Sequence, residues 1–302
     1  MAKQSIKAAR LRKGDRIGVI APAGPVKPSE LAPGIQLLQS TGYEVQLGQH
    51  IYENRDYLAG TDESRLQDLH DMFTEPLVKA IICARGGYGT MRILDRLDYD
   101  LIRDHPKILV GYSDITALLW ALYKKIGLLS FHGPMVKDLT KNNNRNFQSF
   151  LDLLSSHEGM IVNFTEKQVI RHGRRRGILL GGNLSLIFHL AGTPFMPSLR
   201  GVILFIEDRG ESPYRIDRIV TSLKLMGLFK ELAGLVVGDF QGCGDPDNLK
   251  RLIIETVPEP GVPIVFGLPV GHGMKNLCLP LGLPFVLDTE NGILSTRSVP
   301  FA

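Results

Sequence analysis

The sequence predicts an α/β protein whose first half forms a doubly wound parallel sheet and whose second half is mixed and rich in β-strands. In the first half, short runs of β-branched residues alternate with amphipathic segments, which is typical of successive β-α-β units. The run from Val78 to Ala84 is almost entirely apolar, as expected of a parallel strand that is buried on both faces. From Pro263 to Phe301 the pattern changes to short strands separated by proline and glycine.

Strands and helices are predicted to alternate through the first half. Thr61 is a favourable N-cap, and the acidic residues Asp62 and Glu63 stabilise the positive end of the helix that follows it. Gly42 ends the first predicted helix. The predicted strands are Arg16 to Ala21, Tyr43 to Leu47, Val78 to Ala84 and Ile108 to Gly111. Besides the helix that Thr61 caps, the predicted helices are Ser29 to Thr41, Met91 to Leu97, Asp114 to Lys125 and one that ends near Ser156.

A loosely patterned segment separates the two halves. It contains the basic run from Arg171 to Arg176, which we interpret as a solvated linker, although a patch for an anionic ligand would look similar. Residues 1–157 are therefore predicted as the first domain, 158–177 as the linker and 178–302 as the second domain. In the second domain, strands are predicted at Val202 to Ile206 and Gly234 to Gly238, helices at Tyr214 to Met226 and Asn248 to Thr256, and a hairpin turn at Asn291-Gly292.

The composition favours a folded protein of a reducing compartment. Lysine and arginine number 35 and aspartate and glutamate 31, so the net charge of +4 is too small for the basic surface that nucleic acids require. The three cysteines are far apart in sequence, which excludes a disulfide framework. No apolar run approaches the roughly 18 residues that cross a bilayer, and the first one stops at Pro22, too early for a secretory signal. We expect a cytoplasmic protein without a nucleic-acid or membrane partner.

A candidate nucleophile lies in Gly111-Tyr-Ser-Asp114, between a predicted strand and a predicted helix. A serine on such a turn projects its hydroxyl away from the sheet, and the N–H groups that open the helix can stabilise an oxyanion. Gly111 is small, as required two places before the serine, but Ile115 stands where the Gly-x-Ser-x-Gly elbow has its second glycine. Ser113 could also simply cap the helix.

A glycine-rich loop, Arg85-Gly-Gly-Tyr-Gly89, follows the strand that ends at Ala84. Parallel sheets bind ligands at the carboxyl ends of their strands, and glycine lets backbone amides approach a ligand closely. The loop does not fit the dinucleotide pattern G-x-G-x-x-G and could be a plain turn. Two such loops on neighbouring strands nevertheless favour a shared pocket.

A serine nucleophile needs a base and a group that orients the base. Among the eight histidines, His272 lies between two glycines directly after a predicted strand, and His132 follows a strand of the first sheet and competes with it. Glu207 and Asp208 end an apolar strand, and because they point to opposite sides only one can serve a given site. Glu207 could also form an ordinary surface ion pair.

No pattern indicates a metal or an organic cofactor. The sequence contains neither His-Glu-x-x-His nor a cysteine pair, and Asp245-Pro-Asp247 suits a helix cap better than half of a calcium loop.

Six motifs that occur in order along nearly the whole chain resemble the LD-carboxypeptidase family of serine peptidases. They are Ala-Pro-Ala-Gly at 21–24, Arg-Gly-Gly-Tyr-Gly at 85–89, Gly-Tyr-Ser-Asp at 111–114, Gly-Gly-Asn-Leu-Ser at 181–185, Phe-Ile-Glu-Asp at 205–208 and Gly-His-Gly at 271–273.

The resemblance implies that Ser113 is the nucleophile, His272 the base and Glu207 the orienting carboxylate. It makes His132 the less favoured candidate for the base. It also implies a Rossmann-like N-terminal domain, a smaller β-rich C-terminal domain, and homodimers. The oxyanion would then lie against the N–H of Asp114 and that of Gly86 or Gly87.

The family likeness further implies release of D-alanine from the L,D bond of a murein tetrapeptide during cytoplasmic wall recycling, without a cofactor. We hypothesise that Arg85 binds the terminal carboxylate, although a structural salt bridge would suit it equally. Asn183 could bind substrate or cap a helix.

Three other functions stay open at this point. The immunity-type branch of the same family cleaves peptidyl-nucleotides such as microcin C. A different α/β acyl hydrolase would have a small residue at position 115 and one continuous sheet, and a two-lobed ligand-binding protein would have an export signal.

Overall fold

Two β-sheets with helices packed on them make up the chain. The computed structural model describes residues 5–141, 145–257 and 261–302. The strands of these ranges are β1 (Arg16–Ile20), β2 (Glu44–Leu47), β3 (Val78–Cys83), β4 (Ile108–Gly111), β5 (Ser130–His132), β6 (Met160–Asn163), β7 (Val169–Arg171), β8 (Arg174–Asn183), β9 (Val202–Arg209), β10 (Gly234–Gln241), β11 (Ile264–Phe266), β12 (Leu279–Leu281), β13 (Pro284–Asp288) and β14 (Ile293–Thr296).

Helix boundaries follow local capping chemistry. Thr61 Oγ1 accepts from the Ser64 N–H at 3.1 Å to begin α2, Asp245 caps α8, and Gly127 ends α4 in the left-handed region with φ of 76°. The α-helices are α1 (Pro28–Ser40), α2 (Asp62–Thr74), α3 (Tyr99–Asp104), α4 (Thr116–Ile126), α5 (Arg145–Ser155), α6 (Leu184–Leu190), α7 (Pro213–Leu225) and α8 (Pro246–Thr256). In the part of the chain that the structure describes, none of these helices has the length and apolar character needed to cross a membrane.

The first sheet has the strand order β12-β5-β4-β3-β1-β2. Strands β1 to β5 are parallel, which confirms the predicted α/β class, and β12 pairs with β5 in the antiparallel sense. Because β3 and β4 are adjacent, the loops at their carboxyl ends lie side by side.

The second sheet is mixed and has the strand order β6-β14-β13-β8-β9-β10-β11-β7. Strands β8 to β11 are parallel, and the other four pair in the antiparallel sense, which confirms a mixed, β-rich second half. The turn at Asn291-Gly292 lies between the paired strands β13 and β14, as predicted.

The structure differs from the sequence-based expectation at three places. The segment 158–177, expected as a linker, supplies β6, β7 and the start of β8 to the second sheet. Strand β12, from the expected second domain, joins the first sheet instead. The segment from Met91 to Leu97, expected to be helical, forms a 3₁₀ helix over Thr90–Arg96 in place of an α-helix. In the first two differences, strands that are distant in sequence determine which sheet a segment joins. Local periodicity contains no information on these pairing partners.

Helix α4 joins the two sheets through one apolar core that contains residues of both. Trp120 is fully buried, and its Nε1–H donates to the Gly181 carbonyl of β8 at 2.8 Å. One turn earlier on the same helix, Thr116 Oγ1 accepts from the Asn183 N–H at 3.1 Å. A Cβ on Gly182 would lie 2.5 Å from Thr116 Oγ1, so glycine is what allows β8 to approach α4 this closely.

Replacing Gly182 by alanine should therefore destabilise the chain much more than replacing Gly192. Both glycines have positive φ, +142° and +82°, but Gly192 has open space around a new Cβ. We expect a loss of about 3 kcal/mol in the free energy of unfolding for Gly182→Ala, from overpacking and backbone strain together. Gly192→Ala should lose about 1 kcal/mol, from the backbone alone. Urea denaturation measures both, and equal losses would contradict the close approach.

Candidate active site

Ser113 lies directly after β4 in a conformation that is rare for serine. Its φ is +62°, and Asp56 is the one other non-glycine residue of the described ranges with a positive φ. A Cβ on Gly111 would lie 2.7 Å from Ile115 Cγ2, which explains the small residue two places before the serine. Ile115 itself is fully buried, so a core side chain fills the space and no second glycine is needed there.

The loop at 85–89, which we call the oxyanion loop after the role that the sequence predicts for it, lies against Ser113. A Cβ on Gly86 would lie 2.9 Å from Ser113 Cβ, 3.0 Å from its Oγ and 3.5 Å from the Asp114 nitrogen. A side chain at position 86 would thus displace the serine. The Gly24 N–H donates to the Gly86 carbonyl at 3.1 Å, so the loop at 21–24 supports it from behind.

The carboxylate of Asp114 is turned inward and is 1% exposed as a residue. It accepts from the Thr90 N–H at 2.9 Å and from Thr90 Oγ1–H at 2.8 Å. Burial raises the pKa of Asp114, while these two bonds oppose the rise. The side chain therefore ties the turn after β4 to the end of the oxyanion loop.

His272 and Glu207 form a direct pair. His272 Nδ1 lies 2.6 Å from Glu207 Oε2, and the Glu207 side chain is fully buried. Gly271 has φ of 119°, and a Cβ there would lie 2.6 Å from the same carboxylate oxygen. The Tyr112 ring packs on the imidazole with ring centroids 4.8 Å apart. Together these contacts fix the plane of the imidazole.

Burial raises the pKa of Glu207, and the hydrogen bond and positive charge of His272 act in the opposite direction. The adjacent Asp208 faces the other way, as strand alternation predicts. Its carboxylate accepts from Asn183 Nδ2 at 3.0 Å and from Ser185 Oγ at 2.8 Å.

His132 lies behind the pair and not on the cleft surface. It is completely buried, packs edge-on against Phe205 at 4.8 Å, and has its ring 5.8 Å from that of Tyr112. Burial, helped by the charge of His272, lowers the pKa of His132 to about 3. The residue is therefore an uncharged core histidine.

Ser113 and His272 line one cleft of about 420 Å³ together with Arg85, Gly86, Gly87 and Asn183. Among the described contacts, no hydrogen bond joins Ser113 Oγ to the imidazole, a bond that in many serine enzymes tightens only when substrate binds. Within the described ranges, no group of three or more His, Cys, Asp or Glu side chains could hold a metal ion.

The two predicted substrate-binding residues already have partners in the fold. Arg85 Nη1 donates to the Pro25 carbonyl at 3.0 Å. Asn183 caps α6 by accepting from the Leu186 N–H at 3.1 Å, while its Nδ2 donates to Asp208. Asn183 thus performs the capping role that the sequence left open.

Two residues that hold the His272 loop were missed from sequence. Asn276 Oδ1 accepts from the Gly271 N–H at 3.0 Å. Asp239 receives a backbone hydrogen bond from Gly273, where any Cβ would collide with its carboxylate. An aspartate directly after the predicted strand 234–238 was the available signal.

The cleft contains a strained serine that follows a parallel strand and a histidine that is held by a buried carboxylate. This combination defines a serine hydrolase with an α/β fold of two sheets. The chain belongs to the LD-carboxypeptidase family of serine carboxypeptidases. Residues 17–133 match the LD-carboxypeptidase N-terminal domain and residues 176–287 match the LD-carboxypeptidase C-terminal domain. The resemblance found in the sequence is confirmed, and the single-sheet hydrolase and the ligand-binding protein are set aside.

Relatives match along nearly the full length. The probable murein peptide carboxypeptidase of Bacillus subtilis (strain 168) is 41% identical over 297 residues, which cover 94% of this chain and 92% of that one. The microcin C7 self-immunity protein MccF of Escherichia coli is 29% identical over 331 residues, covering 95% and 94%. The crystal structure of muramoyltetrapeptide carboxypeptidase from Oxalobacter formigenes superimposes with a TM-score of 0.82 at 34% identity, covering 93% of this chain and 97% of that one.

Replacing Glu207 by glutamine should stabilise the folded chain at neutral pH. Because burial raises the pKa of Glu207 above its ordinary value of 4.5, ionising this carboxyl is harder in the folded chain than in the unfolded one. The gain should be absent below pH 4.5, grow as the pH rises from there through the raised pKa, and then level off.

Urea denaturation between pH 4 and about pH 8 measures this gain. Glu231→Gln, at an exposed carboxylate paired with Arg200, is the matched control and should show no comparable rise. A gain that shrinks with rising pH would contradict the buried carboxylate as its cause.

Proposed function

We propose that this chain releases the terminal D-alanine from murein tetrapeptides, with Ser113 as nucleophile, His272 as general base and Glu207 as the orienting carboxylate. The observation that carries the proposal is the shared cleft: a serine with φ of +62° and a histidine whose Nδ1 is 2.6 Å from a buried carboxylate line the same surface. The substrate class rests on the names of the Bacillus and Oxalobacter relatives.

Acylation starts when His272 Nε2 takes the proton of Ser113 Oγ as this oxygen attacks the scissile carbonyl carbon. Glu207 holds the Nδ1–H tautomer and stabilises the imidazolium that forms. The developing oxyanion lies against the N–H of Asp114 and that of Gly86 or Gly87, each donor contributing roughly 3 kcal/mol to the barrier reduction.

The C–N bond then breaks, and the imidazolium protonates the leaving amine of D-alanine. His272 next takes a proton from water, whose oxygen attacks the acyl carbon, and the proton returns to Ser113 Oγ as the ester bond breaks. Every proton transfer in this sequence runs through one imidazole, so no cofactor is needed.

Recognition of the free carboxylate falls to Arg85 in this proposal. Among the described contacts, Arg85 donates through Nη1 alone, to the Pro25 carbonyl, and a planar guanidinium suits a carboxylate. Asn183 contributes chiefly by holding Asp208 and the start of α6 at the cleft wall.

Cleavage of peptidyl-nucleotides is the second candidate, favoured by the likeness to MccF and by basic residues on the cleft wall. Lys137 is paired with Glu30 and Lys141 with Asp138, which leaves little excess positive charge for a phosphate. We therefore place the murein peptide first.

We place the enzyme in the cytoplasm, in peptidoglycan recycling, and as a homodimer. The three cysteines are free and buried, which suits a reducing compartment, and the dimer rests on the family resemblance. Light scattering that returned a mass near 33.4 kDa for the intact chain would refute the dimer.

Incubation with tetrapeptide in EDTA should release one D-alanine, detected by mass spectrometry, and pentapeptide should stay intact. Ser113→Ala should lower the rate by about 10³-fold or more because the nucleophile is lost. Chelator-sensitive release, or full activity of the alanine variant, would refute the serine mechanism. Preferential cleavage of a peptidyl-nucleotide would favour the second candidate.

Arg85→Ala should raise KM for the tetrapeptide about 10-fold or more, because a charge-assisted contact to the carboxylate is lost. The exposed Arg200→Ala is the remote control. An unchanged KM in Arg85→Ala would leave Arg85 with a purely structural role.

A further inference from the structure

Arg65 on α2 is a buried cation in contact with both loops beside Ser113. Its side chain is 1% exposed, and arginine is rarely buried this completely unless it is paired. Nη1 donates to the Pro22 carbonyl at 2.7 Å and to the Gly89 carbonyl at 2.8 Å. The first carbonyl belongs to the loop after β1, and the second to the oxyanion loop after β3.

The charge of Arg65 is balanced by Asp62, which pairs with Nη2 and also holds Arg92. Arg92 Nε and Nη2 both lie 2.9 Å from this carboxylate. Asp62 is therefore fixed from two sides, and it fixes the plane of the Arg65 guanidinium in turn. Held in this way, the guanidinium bonds two loop carbonyls through Nη1 and the Asp62 carboxylate through Nη2, whereas a lysine would have a single nitrogen for all three.

Each of these two carbonyls is connected to the Ser113 turn through a neighbouring residue and its hydrogen bonds. On one side, Pro22 is two residues from Gly24, whose N–H donates to the Gly86 carbonyl. On the other side, Gly89 precedes Thr90, which bonds the Asp114 carboxylate through its N–H and Oγ1–H. A Cβ on Gly89 would lie 2.7 Å from Arg65 Nη1, so position 89 has no room for a side chain where the guanidinium contacts the loop.

We propose that Arg65 is the positioning residue of the oxyanion loop: it fixes the N–H groups of Gly86 and Gly87 relative to Ser113 Oγ by tying Pro22 and Gly89 to one guanidinium. This inference rests on the serine mechanism proposed above. Arg65 lies outside the residues that line the cleft, so it acts through the loop. Since an oxyanion donor acts on the transition state and not on bound substrate, Arg65 affects kcat and not KM.

The test compares Arg65→Gln and Arg65→Lys in the full chain. Arg65→Gln should lower kcat about 100-fold with KM within about twofold of wild type, the size of losing one oxyanion donor. Arg65→Lys, which keeps the charge but not the fork, should recover part of the loss. A peptide boronic acid, which mimics the tetrahedral oxyanion, should lose the same factor in affinity. Tetrapeptide binding to Ser113→Ala should be unchanged by adding Arg65→Gln.

Arg96→Gln is the matched control. Its side chain is 45% exposed and bonds Glu63 on α2, while the described contacts place it on neither Asp62 nor a loop carbonyl. Its kcat should stay within about threefold of wild type. If Arg65→Gln fails to fold, Thr90→Val, which keeps the shape and removes the Oγ1 bonds to Asp114, should show the same fall in kcat alone.

A rise in KM with unchanged kcat, or equal loss of boronic acid and tetrapeptide affinity, would overturn the role of Arg65. The rate at which a fluorophosphonate labels Ser113 separates this from failure of the proposed substrate, because labelling needs the oxyanion donors and no peptide recognition. A wild-type chain that is labelled but leaves the tetrapeptide intact has another substrate, and slower labelling of Arg65→Gln then still supports Arg65 as the positioning residue. Equal labelling of the two chains would refute it.

Discussion

The contact between α4 and β8 is the constraint on which the site depends. Trp120 reaches the Gly181 carbonyl, and Thr116 receives the Asn183 N–H, so the helix that follows Ser113 lies directly on a strand of the second sheet. In that sheet Asn183 is the register partner of Glu207 on β9. The position of the serine relative to the carboxylate is therefore set by backbone packing between two sheets. Glycine at 182 makes this possible, because a Cβ there would lie 2.5 Å from Thr116 Oγ1 and push the helix away.

Several groups of the site are held at a cost in stability. Ser113 occupies the left-handed region, and Glu207 and Asp114 are carboxylates in a low-dielectric interior where burial raises their pKa. Each is stabilised by a specific neighbour: Gly86 leaves room for the serine, His272 bonds Glu207, and Thr90 bonds Asp114. The apolar core that spans both sheets offsets these costs. This pattern is typical of sites in which geometry is fixed before the substrate arrives.

The two histidines of this region show how burial decides chemistry. His132 ends strand β5 and His272 lies in a loop after β11, and both pack against the Tyr112 ring. His132 is enclosed at the end of β5, so its pKa falls to about 3 and it is too weak a base to accept a proton at neutral pH. His272 lies on a glycine-flanked loop at the cleft, with a carboxylate at Nδ1. Both residues are histidines followed by a glycine, and their surroundings in the fold decide their different chemistry.

The sequence by itself determined the α/β class, the helix caps and the motifs that carry Ser113, Glu207 and His272, because periodicity, capping and glycine placement are local properties. It also indicated that only one of Glu207 and Asp208 could serve the site, since strand alternation is local too. Only the tertiary structure decided that β12 returns to the first sheet, that Asn183 is committed to capping, and that Arg65 links two loops. These depend on contacts between residues far apart in the chain, and no local pattern specifies which distant carbonyl or strand a residue will meet.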